Sequence, residues 1–184
     1  MAGKVIVFGD SLLKNITPEG ATHKLIFARG LTTDRLIHRI GRGDYDQDIR
    51  NCRGIIVLLG TNNLREDKPE KIVEDLSQIR ALLTSKNRSI TVTLSTLVPR
   101  KDEWEEKAKL TSNLLSAKAK TKNWTISQTH KTFLKKKNQF KPLNHPDFQK
   151  KELLDPDLYH LSHYGETLLK NYIINYIDRH FKVK

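Results

Sequence analysis

The sequence predicts an α/β chain in three layers, a central parallel sheet of about five strands with helices on both faces. Short β-branched runs alternate with longer stretches of helical period, the pattern of βαβ units. Ile55-Ile56-Val57-Leu58-Leu59 is apolar at every position, as a strand covered on both faces must be. At 184 residues the chain suffices for one domain and is short for two. Residues 1–184 are therefore read as a single unit.

Lys4 to Phe8 reads as the first strand and His23 to Ala28 as the second. Leu31, Leu36, Ile37 and Ile40 then recur at helical spacing behind the start signal Thr32-Thr33-Asp34. Pro69 suits the first turn of a helix whose Ile72, Val73, Leu76, Ile79, Leu82 and Leu83 keep a helical period, ending near Thr84. Ser89 to Leu97 alternates as a fourth strand, which Pro99 stops. Lys101 to Lys122 is a charged helical pattern carrying Trp104, Ala108, Leu114, Leu115 and Ala119, and Trp124 to Ser127 reads as the fifth strand. At about 129–155 the periodicity fails and Lys, Asn, Pro and His dominate, so a long, basic, irregular segment is expected there. Tyr164 opens a closing helix with Leu168, Leu169, Tyr172, Ile173, Tyr176 and Ile177 on one face, and no internal repeat is visible.

With 37% hydrophobic and 29% charged residues the composition is that of a globular chain. No apolar run approaches the roughly 18 to 20 residues that cross a bilayer. Lys4 to Phe8 already reads as a core strand, so no cleaved leader is expected, and the single Cys52 can form no internal disulfide. A reducing intracellular compartment, cytoplasm or nucleus, is the expectation, with Cys52 a small buried residue near a strand start. Lys plus Arg exceed Asp plus Glu by 33 to 21, a formal charge of +12. From Lys118 to Lys151 ten lysines stand against Asp147 alone. A charge of that sign points to a polyanion.

Three short motifs carry chemistry. Gly9-Asp10-Ser11 follows the first strand, so Ser11 sits at the carboxyl edge of a parallel sheet, where such folds place ligands. A Ser there serves either as a nucleophile or as a helix cap. Gly60-Thr61-Asn62-Asn63 follows the third strand, and its Asn either aims N–H donors at an oxyanion or merely forms a turn. Asp157-Leu158-Tyr159-His160 precedes the last helix. A carboxylate three residues before an imidazole can hold Nδ1–H and leave Nε2 to accept a proton from a serine, although a lone His can also be structural. The three stand in the order that a triad on such a sheet requires.

At these residues the chain resembles the SGNH, or GDSL, hydrolases. Gly9-Asp10-Ser11 matches the family's first block, Gly30 in Ala28-Arg29-Gly30-Leu31 its second, Gly60-Thr61-Asn62 its third, and Asp157 with His160 its last, with Leu161-Ser162 and Gly165 continuing in the family's manner. The resemblance spans about residues 4 to 180. It implies a flavodoxin-like fold and a serine esterase with Ser11, Asp157 and His160 as triad. Ser11 and Gly30 amides and the Asn62 side chain would form the oxyanion hole. No cofactor and no metal are implied, and His145 and His163 are read as isolated surface residues.

The basic segment is no family requirement. It raises a second reading, a module binding RNA or single-stranded DNA through Lys131, Lys135, Lys136, Lys137, Lys141, Lys150 and Lys151, with Trp124, Phe133, Phe140 and Phe148 as stacking faces, against the plainer one of a solvated lysine-rich surface with ordinary core aromatics. Esterase-like domains of this kind occur in first-reading-frame proteins of some LINE-type retrotransposons. An anionic lipid surface is a third candidate partner.

Overall fold

The computed structural model describes residues 3–16, 20, 22–133 and 161–181. Its strands are β1 (Val5–Gly9), β2 (His23–Phe27), β3 (Gly54–Leu58), β4 (Thr91–Ser95) and β5 (Ile126–Ser127). All pairings are parallel, in the order β2-β1-β3-β4-β5. The helices are α1 (Thr33–Arg42), α2 (Asp46–Asn51), α3 (Pro69–Lys86), α4 (Glu105–Lys122), α5 (Thr129–Thr132) and α6 (His163–His180). Short 3-10 turns span Ser11–Leu13 and Asn62–Arg65. This strand order is the flavodoxin-like one, and it reverses direction between β1 and β3. Gly9 lies beside Leu58 in register, so the segments that leave these two strands open side by side at the carboxyl edge.

Strand alternation sorts the core into two layers. Ile6, Phe8, Ile55, Val57 and Leu59 join Leu36 and Ile40 of α1, Ile49 of α2, Ile72, Leu76 and Ile79 of α3, and Leu115 of α4. Val5, Val7, Ile56 and Leu58 join Leu12, Leu13 and Ile16 with Leu169, Ile173 and Ile177 of α6. Every residue of β1 and β3 is buried, as their unbroken apolar runs require. Among the described residues no helix is long and apolar enough to cross a membrane.

The sequence expectations shift at a few ends. Helix α4 begins at Glu105 rather than Lys101, because Arg100 and Asp102 pair and the Trp104 N–H donates to Asp102 Oδ1 at 3.2 Å, holding a turn. Asn123, left-handed at φ 52°, ends α4, and the Trp124 N–H returns to Ala119 O at 2.8 Å. Trp124 therefore belongs to a helix terminus, and β5 shrinks to two residues. Helix α2 escaped notice because Ile49 is its one buried residue, too few to show a period. The expected irregular segment opens instead with the ordered turn of α5, and Phe133 is a core residue rather than a stacking face. Arg80 lies over the Trp124 ring at 5.0 Å, covering the face that was assigned to a base.

Cys52 is buried, its thiol donating to Ile49 O at 3.3 Å, and burial pushes that thiol up. His130 is half-buried where β5 leaves the sheet, with its N–H at 3.1 Å and Nδ1 at 2.8 Å from Thr96 Oγ1. Burial, and then the neighbouring charge of Lys131, pushes this imidazole below its ordinary range. Between the lowered native value and the ordinary one near 6.5, the unfolded chain binds the more protons, so stability falls as pH drops through that window. Urea unfolding midpoints are expected to fall between pH 7 and pH 5, and His130→Gln is expected to flatten that slope. An unchanged slope in the variant would remove His130 as its source.

Candidate active site

Where β1 ends, Asp10 caps the following turn: its Oδ1 accepts from the Leu12 N–H at 3.0 Å, and the residue is 2% exposed. The cap that Ser11 was one candidate to provide is therefore supplied by its neighbour. The Ser11 hydroxyl has no hydrogen-bond partner among the described residues. Ser11 lines a cavity of about 170 Å³ together with Gly30 and Asn62. Thus the three sequence blocks that lie within the described residues converge on one cavity at the switch point between β1 and β3.

The loops are held to one another by amides. The Asn62 Nδ2 donates to Leu31 O at 3.0 Å and to Asp10 Oδ2 at 3.3 Å, joining the turn after β3 to both of its neighbours. Asn63, 2% exposed, accepts from the Thr33 N–H at 3.1 Å and donates to Thr33 Oγ1 at 2.9 Å and to Asp67 Oδ2 at 2.7 Å. Thr33 Oγ1 in turn donates to Asp75 Oδ2 of α3 at 2.8 Å. Asn62 thus faces the cavity while Asn63 fastens the loop behind it.

Two glycines matter for backbone reasons. Gly30 sits at φ +65° with open space where a Cβ would project, so its turn is left-handed and its approach to the cavity unobstructed. Gly60 sits at φ +119°, and a Cβ there would come within 3.0 Å of Ile72.

Three arginines complete the lining: Arg29, Arg65 and Arg100. Arg100 is 4% exposed; its Nε donates to Asp102 Oδ1 at 2.9 Å, a second nitrogen to Oδ2, and Nη1 to Thr61 O at 3.3 Å. Burial pushes the Asp102 carboxyl up, but the hydrogen bond and charge of Arg100 outweigh it and hold the group below its usual range. Arg29 and Arg65 are exposed. Sequence reasoning passed over all three, together with Asn63, Thr33 and Asp75. Arg29 and Asn63 stood inside the quoted motifs, but the role of Asn63 depends on Thr33, 30 residues away, and that of Arg29 on the cavity that distant loops form.

Asp157 and His160 lie outside the described residues, as do His145, Phe140, Phe148 and Lys135, Lys136, Lys137, Lys141, Lys150 and Lys151. Of the proposed basic contacts, Lys131 is described and exposed, and His163 is exposed as expected. Leu161, the next residue after His160 in sequence, is buried in the same cluster as Leu12 and Leu13. Asn15 Nδ2 donates to Glu166 Oε1 at 2.5 Å. The start of α6, whose Ser162 caps the Gly165 N–H at 3.2 Å, is thereby tied to the turn that carries Ser11.

A second hollow, about 530 Å³, lies between Pro69 and α4. Its lining of Glu106, Lys107, Lys109, Leu110 and Asn113 has no hydroxyl, thiol or imidazole. Among the described residues no group of His, Cys, Asp and Glu is placed to hold a metal ion.

No family model matches the chain, and no curated protein matches it significantly. Solved structures do. A lipase/acylhydrolase from Enterococcus faecalis aligns with a TM-score of 0.73 at 17% identity, over 97% of this chain and 96% of its own. A member of the G-D-S-L lipolytic family from Veillonella parvula aligns with a TM-score of 0.73 at 15% identity, over 96% and 98%. A GDSL-like lipase from Bacteroides thetaiotaomicron gives 0.68 at 13%, over 96% and 88%. At these identities the likeness is one of architecture, and it covers 96–97% of the chain. Sheet order, the turn carrying Gly9-Asp10-Ser11 and these neighbours agree: the chain has the fold of the GDSL/SGNH lipases and acylhydrolases.

Proposed function

We propose that the protein is a serine hydrolase of carboxylic esters. The observation that carries this reading is Ser11, its hydroxyl uncommitted to any cap, lining one cavity with Gly30 and Asn62. In the first step His160 takes the Ser11 proton while Ser11 Oγ forms a bond to the ester carbonyl carbon. The negative charge moves to the carbonyl oxygen, facing the Ser11 and Gly30 amides and Asn62 Nδ2. Collapse expels the alcohol, which recovers the proton from His160. Water, deprotonated by the same imidazole, then releases the acid and restores Ser11. Asp157 holds the imidazole in the tautomer that leaves Nε2 toward Ser11 and steadies the imidazolium. The burial of Leu161 beside Leu12 and Leu13 and the Asn15 to Glu166 bond tie the start of α6 to the Ser11 turn, which supports the reading. The structural neighbours, lipases and acylhydrolases, support the reaction class.

Of the two hydrogen bonds that Asn62 Nδ2 donates, the one to Asp10 Oδ2, with Nδ2 at 3.3 Å from the oxygen, is the longer and is the one an oxyanion would draw away. The test is turnover of p-nitrophenyl esters across acyl lengths. Measurable kcat/KM, highest for short acyl groups, is expected; no turnover at any length overturns the proposal.

A second reading is favoured by the clustering of ten lysines between Lys118 and Lys151. In it the same chain binds RNA or single-stranded DNA through its phosphates, independently of ester chemistry. Affinity would then fall steeply with salt, by about 0.7 in log K per log salt for each phosphate neutralised on a single strand. Fluorescence anisotropy with an oligonucleotide is expected to show that slope, reduced in a K135Q/K136Q/K137Q variant. A flat response to salt removes the polyanion from the partners.

A further inference from the structure

Nothing in a short neutral ester calls for three guanidinium groups around the nucleophile. Arg100 is spoken for by Asp102, and the carboxylate beside Ser11, Asp10, is buried against the Leu12 N–H and Asn62. Arg29 and Arg65 remain. Neither engages a carboxylate among the described residues, whereas Arg42 pairs with Asp44 at 2.7 Å and Arg50 reaches Asp46 at 4.0 Å. Both stand on the loops that present the reacting groups, Arg29 next to Gly30 and Arg65 at the end of the turn that begins with Asn62. Apart from these arginines the described residues that line the cavity are Ser11, Gly30, Thr61 and Asn62, and none of them carries a hydrophobic side chain. Among the described residues a long acyl chain finds no hydrophobic side chain to pack on in this cavity. A planar guanidinium fork matches carboxylate and phosphate oxygens two at a time.

We propose that the substrate class of this site is a small ester carrying an anionic oxygen group, carboxylate or phosphate, near its scissile carbonyl, with Arg29 and Arg65 binding that group. The inference rests on the hydrolase reading of the same cavity. The anion would enter with the charged end held at the rim by the two guanidiniums and the carbonyl lodged between Ser11 and Asn62. Because both arginines are exposed, their attraction is screened by salt, and the selectivity is set by charge and by the fork's geometry together.

The test compares p-nitrophenyl acetate with mono-p-nitrophenyl succinate on the full chain. Wild type is expected to favour the succinate in kcat/KM by about 10- to 100-fold, the range of one or two charge-assisted hydrogen bonds. The difference should lie chiefly in KM and shrink as ionic strength rises from about 0.05 to about 0.5 M. The R29Q/R65Q variant is expected to bring the ratio toward one. Equal kcat/KM for the two esters in wild type, or a preference that the double variant keeps, overturns the proposal. A binding arm separates this outcome from failure of the hydrolase reading. Calorimetric titration of the Ser11→Ala protein with phenylphosphonate and with phenylacetate is expected to give binding that R29Q/R65Q loses. The tighter of the two probes tells phosphate from carboxylate. If no ester turns over, the hydrolase proposal falls, and the anion site stands or falls on that titration alone.

Discussion

Ser11→Ala is expected to abolish ester turnover while leaving the fold intact. Loss of the nucleophile in a serine hydrolase lowers kcat on the order of 10⁵- to 10⁶-fold, with a residue of rate supplied by the oxyanion donors and by binding. Here the change should be almost silent structurally. Asp10 caps the turn, and the Ser11 hydroxyl has no partner among the described residues, so stability should move by no more than about 0.5 kcal/mol. Activity and melting temperature therefore part company in this variant, and both are read on one preparation. His160→Ala should cost a comparable factor, and the double variant no more than either single one, because groups that act as a unit lose their joint contribution once. Additive losses would mean that Ser11 and His160 do not work together. A Ser11→Ala protein that keeps its turnover would place the reaction elsewhere.

The parts of this molecule that were legible in its sequence are those whose signals are local. The apolar run at 55–59 and the period of α3 come from neighbouring residues reporting on a single element, and the alternation between them constrains the sheet to be parallel. The motif positions followed from the same logic, since a residue just past a strand end must lie at the carboxyl edge. What was not legible depended on partners distant in the chain. Helix α2 shows one buried residue and is held by what packs on it. The turn at 101–104 exists because Arg100 finds Asp102, a pairing that a charged helical pattern conceals. Asn63 and Asn62 are adjacent and identical in type, yet one is locked to Thr33 and Asp67 while the other borders the cavity. The basic residues around Phe133 leave it readable as a stacking face or as a core aromatic, and its ring is buried in the core beside α6. Charge density along a sequence says nothing about which way an aromatic ring turns.

That adjacent pair yields the second large effect. Asn62→Ala is expected to lower kcat by about 10²- to 10³-fold with little change in KM, the signature of a donor that acts on the oxyanion and not on the bound ester. The substitution also frees Leu31 O and Asp10 Oδ2, each of which now accepts from the Asn62 amide. Some loss of stability, about 1 to 3 kcal/mol, accompanies it. Asn63→Ala is the control that separates the two contributions. It removes bonds to the Thr33 N–H, Thr33 Oγ1 and Asp67 from a residue only 2% exposed. It should therefore lower the melting temperature at least as much as Asn62→Ala, at about 2 to 4 °C per kcal/mol for a chain of this size. Its kcat, measured well below that temperature, should fall far less. If the amide of Asn62 only braced the loops, the two variants would lose kcat in proportion to their lost stability. A larger loss of kcat in Asn62→Ala at equal or smaller loss of stability assigns the amide to the oxyanion, because the loop carbonyl and carboxylate that it braces belong to the ground state as much as to the transition state.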